Sequence, residues 1–148
     1  EVFDLPGKKM NNSRGWEIYP KIMYDIAMYL KENYRNIPWL ITENGMGREH
    51  EEQYMDEKGI VQDDYRIEFI GQHLLYLIKA AEEGANCEGY MLWAFTDCVS
   101  PMNAFKNRYG LVRIELNDER SRTLKKSASW YQSLIDKREL SLPDEAYK

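Results

Sequence analysis

Cysteine and histidine are scarce, with two of each in 148 residues. Cys87 and Cys98 stand apart with no Cys-x-x-Cys pattern, which excludes a disulfide scaffold and reads as two reduced, mostly buried thiols. His50 and His73 are isolated, and no His/Cys/Asp cluster has metal-ligand spacing, so no metal is expected. No run approaches the ~20 apolar residues of a membrane span. Basic blocks are missing too: 20 Lys+Arg face 25 Asp+Glu for a net charge of −5, which argues against a nucleic-acid binder. There is no internal repeat and no low-complexity stretch. The chain starts at Glu1 without the charged-then-apolar layout of a signal peptide, so a cytoplasmic piece of something longer is expected.

What is present suits one globular domain over 1–148: 43% hydrophobic, 13% aromatic and 30% charged residues. Residues 1–15 are polar and read as a loop. From Pro20 to about Tyr34, Ile22, Met23, Ile26, Ala27 and Leu30 form one helical stripe. Trp39-Leu40-Ile41 has the continuous apolar character of a strand buried on both faces. Residues 46–62, with the charge run Arg48-Glu49-His50-Glu51-Glu52, read as an exposed loop. Asp63 and Asp64 suit N-caps of a long amphipathic helix carrying Ile67, Ile70, Leu74, Leu77 and Ala81 and stopped by Gly84. A second buried strand follows over 89–95. Leu111–Leu116 alternates like one arm of a hairpin turning at Asn117-Asp118. A last helix is expected over 123–137, and the polar tail is expected to fray. Buried strands alternating with amphipathic helices indicate an α/β fold with a parallel sheet. Two core strands are few for that architecture, because a complete (β/α)₈ barrel takes about 250 residues.

A carboxylate at the C-terminal end of such a strand sits where α/β folds place active sites, and Glu43 is one. By position alone it is equally an ordinary acidic turn residue. The wider string tips the balance. Trp39-Leu-Ile-Thr-Glu43-Asn-Gly45 resembles the nucleophile motif of family 1 glycoside hydrolases, the retaining β-glycosidases. GWEIYP (15–20), DDYRIEFIGQHL (63–74), GYMLWAFTDCVS (89–100), NRYGLVRIE (107–115) and LKKSASWYQSLI (124–135) are similar to further segments of that family, in the same order. The resemblance implies the C-terminal portion of a (β/α)₈ TIM barrel, holding the last two barrel strands with their helices and a β-hairpin excursion. It assigns Glu43 the role of nucleophile. The acid/base partner belongs to an Asn-Glu-Pro motif, and that tripeptide does not occur in the chain. The chain alone is therefore expected to be inactive. Its expected partners are the missing N-terminal half of the barrel or a second copy, met through exposed edges.

The same resemblance bears on substrate. Plain β-glucosidases of the family carry a Glu seven residues after the strand Trp, followed by a Trp. Here Trp93 is followed at those places by Ser100 and Pro101. A Glu would repel a phosphate dianion, whereas a Ser hydroxyl can donate to it. Ser100, Lys106 and Tyr109 resemble the 6-phosphate clamp of 6-phospho-β-glycosidases. Aligned back from Tyr109 without gaps, the clamp lysine falls on Asn107, one residue from Lys106. Trp93 is implied as a platform under the sugar ring, against the alternative of a core Trp. Trp16 resembles an aglycone-side Trp, against the alternative of a packing residue. The expected activity is hydrolysis of 6-phospho-β-glucosides to glucose 6-phosphate, and the resemblance implies no cofactor. A 6-phospho-β-galactosidase is the near alternative, and a non-catalytic phosphosugar-binding fragment the alternative of another class.

Overall fold

The computed structural model describes residues 5–142, so Glu1 and the polar tail beyond Leu142 lie outside the described residues. A short antiparallel ribbon, β1 (Met10–Asn11) and β2 (Trp16–Glu17), precedes helix α1 (Ile22–Asn33). Strand β3 (Trp39–Asn44) then leads through a loop with one 3₁₀ turn (Glu51–Tyr54) into helix α2 (Asp64–Glu82). The chain returns as strand β4 (Cys87–Leu92), which pairs with β3 in parallel, Leu40 opposite Gly89 and Ile41 opposite Tyr90. An antiparallel hairpin of β5 (Val112–Ile114) and β6 (Arg122–Leu124) follows, and helix α3 (Lys126–Lys137) comes last. This β-α-β crossover with its flanking helices is part of an α/β barrel and not a closed one. Among the described residues no helix is long and apolar enough to cross a membrane.

The helices form where the apolar spacing places them, and α1 packs on α2 through small residues. Ala27, Ala80 and Ala85 make the contact, with Tyr24, Met28 and Trp39 closing around them. Side chains this small let two backbones approach closely. Ile22 and Ile26 belong to the same sequence stripe as Met23 and Ala27 but are exposed. The sheet likewise departs from expectation. β3 and β4 are each other's only ladder partners among the described residues, so Leu40 and Met91 are exposed and not buried on both faces.

Four further expectations are corrected. The stretch before residue 15 is not all loop, because Met10 and Asn11 pair with Glu17 and Trp16. The second strand runs from Cys87 to Leu92 and not over 89–95, because after Trp93 N–H bonds the Asn44 carbonyl at the end of β3 (2.9 Å) the chain turns away, and Ala94 N–H donates to the Tyr109 carbonyl (3.3 Å). The last helix starts at Lys126, because Thr123 and Leu124 are held by β5 in a ladder. The loop over 46–62 is only partly a solvated face, since His50, Glu52 and 56–58 are exposed but Met46, Glu51 and Val61 are buried.

Glu51 is buried because two cations are buried with it. Lys125 Nζ donates to Glu51 Oε2 (2.5 Å) and to Asp97 Oδ1 (2.9 Å). Arg66 donates to Glu51 Oε1 (2.5 Å), to Asp63 Oδ2 (3.2 Å) and to the Arg108 carbonyl (3.0 Å). Arg108 itself lies 3.5 Å from Asp97 Oδ2. Glu51, Asp63, Arg66, Asp97 and Lys125 are each at most 2% exposed. Burial, aided by Arg66, holds the Lys125 ammonium pKa below its ordinary value, while Glu51 and Asp97 pull it back up. Asp63 stands at the N-cap of α2 as expected, yet its side chain does not cap that helix. It accepts from Ser127 N–H (2.8 Å) and Ser127 Oγ (2.5 Å), so it caps the first turn of α3 instead.

Removing one member of such a cluster strands buried charge. Glu51→Ala is expected to lower unfolding free energy by about 3–5 kcal/mol in urea titration; a loss under about 1 kcal/mol is the range of an exposed pair and would contradict the assignment. A second expectation concerns pH. His73 is buried, its Nδ1 2.7 Å from the Phe69 carbonyl, and burial lowers its pKa below the ordinary value against the effect of that bond. The folded state thus binds fewer protons than the unfolded state between the folded pKa and about 6.5. Stability from this residue is full above that interval and falls as the pH drops through it. Thermal melts from pH 7.5 to 5 are expected to show this decline, and His73→Gln to flatten it.

Candidate active site

A cavity of about 700 Å³ opens at the C-terminal ends of β3 and β4. Its wall includes Trp16, Glu43, Trp93, Ser100 and Tyr109, five of the six residues singled out from the sequence. They arrive from the ribbon, from β3 and from the chain beyond β4, and each has a local reason for its place.

Glu43 is the penultimate residue of β3 and is exposed on the cavity wall, with no hydrogen bond or ion pair among the described residues. Its neighbour Asn44 is pinned. Asn44 Oδ1 accepts from the Tyr90 hydroxyl (2.7 Å) and the Asn44 carbonyl accepts from Trp93 N–H (2.9 Å). Burial raises the Tyr90 pKa, which keeps that phenol a donor. Gly45 makes the approach possible: a Cβ there would lie 1.7 Å from the Trp93 carbonyl oxygen. The close contact ties Trp93 to the strand that carries Glu43. Trp93 is 42% exposed and Trp16 is 51% exposed, so both present open ring surface to the cavity.

Ser100 is held by a tight turn, its N–H donating to the Ala104 carbonyl (2.9 Å) and its carbonyl accepting from Ala104 N–H (2.8 Å). Its Oγ accepts from Met102 N–H (3.3 Å), which leaves the hydroxyl proton free to donate into the cavity. Tyr109 is seated on Gly47, where a Cβ would fall 2.5 Å from the ring Cζ. Burial raises the Tyr109 pKa, so the phenol is protonated and can donate. Two antiparallel bonds between Arg48 and Arg108, of 3.0 and 2.8 Å, hold the segments of Gly47 and Tyr109 together.

Lys106 does not join them. Its side chain is 62% exposed, its Nζ lies 3.4 Å from Glu49 Oε1, and it is not on the cavity wall. The physical reason lies in Asn107, which is fully buried and donates to the same Glu49 oxygen (3.3 Å), so the two residues fix this part of the loop on Glu49. Sequence reading also passed over Arg14, Asn44 and His73, which line the cavity. Arg14 lies in the turn between β1 and β2, where its two-residue spacing from Trp16 sets no facing rule, so the sequence offered no signal for it. Its guanidinium stacks on the Trp16 ring, 4.5 Å from the centroid. For His73, which sits on a helical stripe of core residues, there was no signal either.

Known proteins match this chain across most of its length. Residues 6–140 fit the family model for Glycosyl hydrolase family 1. The 6-phospho-beta-glucosidase GmuD of Bacillus subtilis (strain 168) is 54% identical over 136 residues, which is 92% of this chain and 29% of that protein. A 6-phospho-beta-galactosidase of Staphylococcus haemolyticus is 38% identical over 126 residues, 84% of this chain and 26% of the relative. Among solved structures, the family 1 β-glucosidase from Thermotoga maritima in complex with isofagomine lactam superimposes with a TM-score of 0.84 at 28% identity, over 93% of this chain and 30% of that one. The chain thus spans less than a third of the length of these relatives. With its strand-end carboxylate in an aromatic-walled cavity and the family pattern running from residue 6 to 140, this chain belongs to glycosyl hydrolase family 1.

Proposed function

We propose that this chain is the nucleophile-bearing part of a 6-phospho-β-glucosidase. The observation that carries the reading is the meeting of Glu43, Trp93, Ser100 and Tyr109 on one cavity, in a chain 54% identical over its matched length to 6-phospho-beta-glucosidase GmuD. Retaining hydrolysis needs two carboxyl groups about 5–5.5 Å apart. Glu43 attacks the anomeric carbon, the leaving oxygen departs with a proton from the second carboxyl, and water later releases glucose 6-phosphate. The other carboxylate on the cavity wall among the described residues, Glu17, is paired with Lys8 (3.0 Å). The chain has no Asn-Glu-Pro tripeptide, so the acid/base comes from the part of the barrel that this chain does not span. A cytoplasmic place in carbohydrate metabolism, on sugars already phosphorylated, goes with this reading. The 38% identity to a 6-phospho-beta-galactosidase keeps that activity as the second reading, separated by comparing the two 6-phosphorylated p-nitrophenyl glycosides.

Three outcomes are expected. This chain alone leaves p-nitrophenyl 6-phospho-β-glucoside intact. Joined to the remainder of a family barrel it turns the substrate over, and Glu43→Gln then lowers kcat on the order of 10⁴-fold. Turnover by the chain alone that Glu43→Gln abolishes would place the acid/base within these residues and overturn the split of roles. In the same joined enzyme, Ser100→Glu is expected to lower kcat/KM for the phosphorylated glucoside by about tenfold or more while sparing the unphosphorylated one, because it sets a carboxylate against the phosphate. Equal losses on both substrates would remove Ser100 from phosphate recognition.

A further inference from the structure

With Lys106 turned to Glu49 and Asn107 neutral and buried, the loop expected to clamp a phosphate brings no cation to the cavity. The ribbon brings one. Arg14, between β1 and β2, lines the same cavity as Ser100 and Tyr109. Its Nε is buried and has no hydrogen-bond partner. Among the described residues its guanidinium has no ion pair, and the contact it does make is the stack on Trp16 at 4.5 Å. Stacking uses the flat face of the guanidinium. Its terminal N–H groups, unlike the buried Nε, remain available for two parallel bonds to an oxyanion.

The placement is held by the backbone and does not rest on the reach of one long side chain. Arg14 N–H donates to the Asn11 carbonyl (3.0 Å), and Asn11 Nδ2 donates to the Gly47 carbonyl (2.9 Å). Ser13 Oγ accepts from Glu49 N–H (3.1 Å). Gly47 is the residue on which the Tyr109 ring rests, so the ribbon and the phenol share one support. The charge of Arg14 also acts on the Tyr109 phenol, lowering its pKa against the effect of burial. Glu17, the acidic neighbour on the wall, is occupied by Lys8 at 3.0 Å.

We infer that Arg14 is the cationic, specificity-determining contact for the sugar 6-phosphate, acting with the Ser100 hydroxyl and the Tyr109 phenol in place of a lysine from the 106–107 loop. The inference rests on the 6-phosphosugar reading above. It is tested with this chain joined to the remainder of a family barrel, by following Trp fluorescence during titration with glucose 6-phosphate and, separately, with glucose, with melting curves recorded for each variant.

The unaltered joined enzyme is expected to bind glucose 6-phosphate more tightly than glucose. Arg14→Gln should weaken glucose 6-phosphate by about tenfold or more and leave glucose unchanged, Arg14→Lys should lose less, and Lys106→Gln should change neither. Loss on Lys106→Gln with none on Arg14→Gln overturns the role of Arg14 and leaves the 6-phosphosugar reading standing. Equal weakening of both sugars by Arg14→Gln overturns it as well, because the residue would then act through Trp16 alone. An unaltered joined enzyme that shows no preference for the phosphorylated sugar, or binds neither, brings down the 6-phosphosugar reading and the inference together.

Discussion

The ammonium of Lys125 sits between Glu51 (2.5 Å) and Asp97 (2.9 Å) with almost no access to water. Taking these charges out of water is expensive, and the expense is offset only while each one keeps its partners. That condition binds four parts of the chain. Glu51 comes from the loop after β3, Asp97 from the chain after β4, Arg66 from α2, and Lys125 from the residue before α3. The cluster reaches the cavity through the backbone. Arg66 holds the Arg108 carbonyl (3.0 Å), and Asp97 Oδ1 accepts from Gly110 N–H (3.0 Å). Tyr109 lies between those two residues, so the phenol is positioned by an ion cluster it does not touch.

The cavity inherits its shape from that frame. Glu43 is carried by a strand end, Trp93 is brought against Gly45, and Tyr109 is set on Gly47. These contacts run through the backbone and leave little freedom to drift, which suits a site whose groups must be in place before a ligand arrives. The ribbon that carries Arg14 and Trp16 closes one side. The remaining side is open. β3 and β4 have one ladder partner each among the described residues, and Phe95 is 70% exposed. The chain spans under a third of the length of its relatives, and what it holds is one wall of a cavity.

Much of this was legible in the residues. α1 and α2 follow from apolar spacing, β3 and β4 from short apolar runs, and the hairpin from the alternation after Leu111 together with Asn117, whose Oδ1 accepts from Arg120 N–H (2.9 Å). Glu43 could be placed at a strand mouth because one strand and one turn suffice to put it there. The errors share a cause. Thr123 and Leu124 read as the first turn of a helix until β5 offers them a ladder. Glu51 reads as one acid in a solvated run until Arg66 and Lys125, 15 and 74 residues away, meet it in the interior. Lys106 reads as a clamp until Glu49 holds it outside the cavity.

The amino-acid sequence by itself determined the helices, the two parallel strands, the strand-end carboxylate and the family, because each depends on periodicity or on residues adjacent in the chain. Only the tertiary structure decided which charges are buried and which cation faces the cavity. A charged side chain carries no local mark of its partner. Whether it meets water, a counter-ion or an empty pocket is set by segments distant in sequence, and here those segments put Arg14 on the cavity wall and Lys106 outside it.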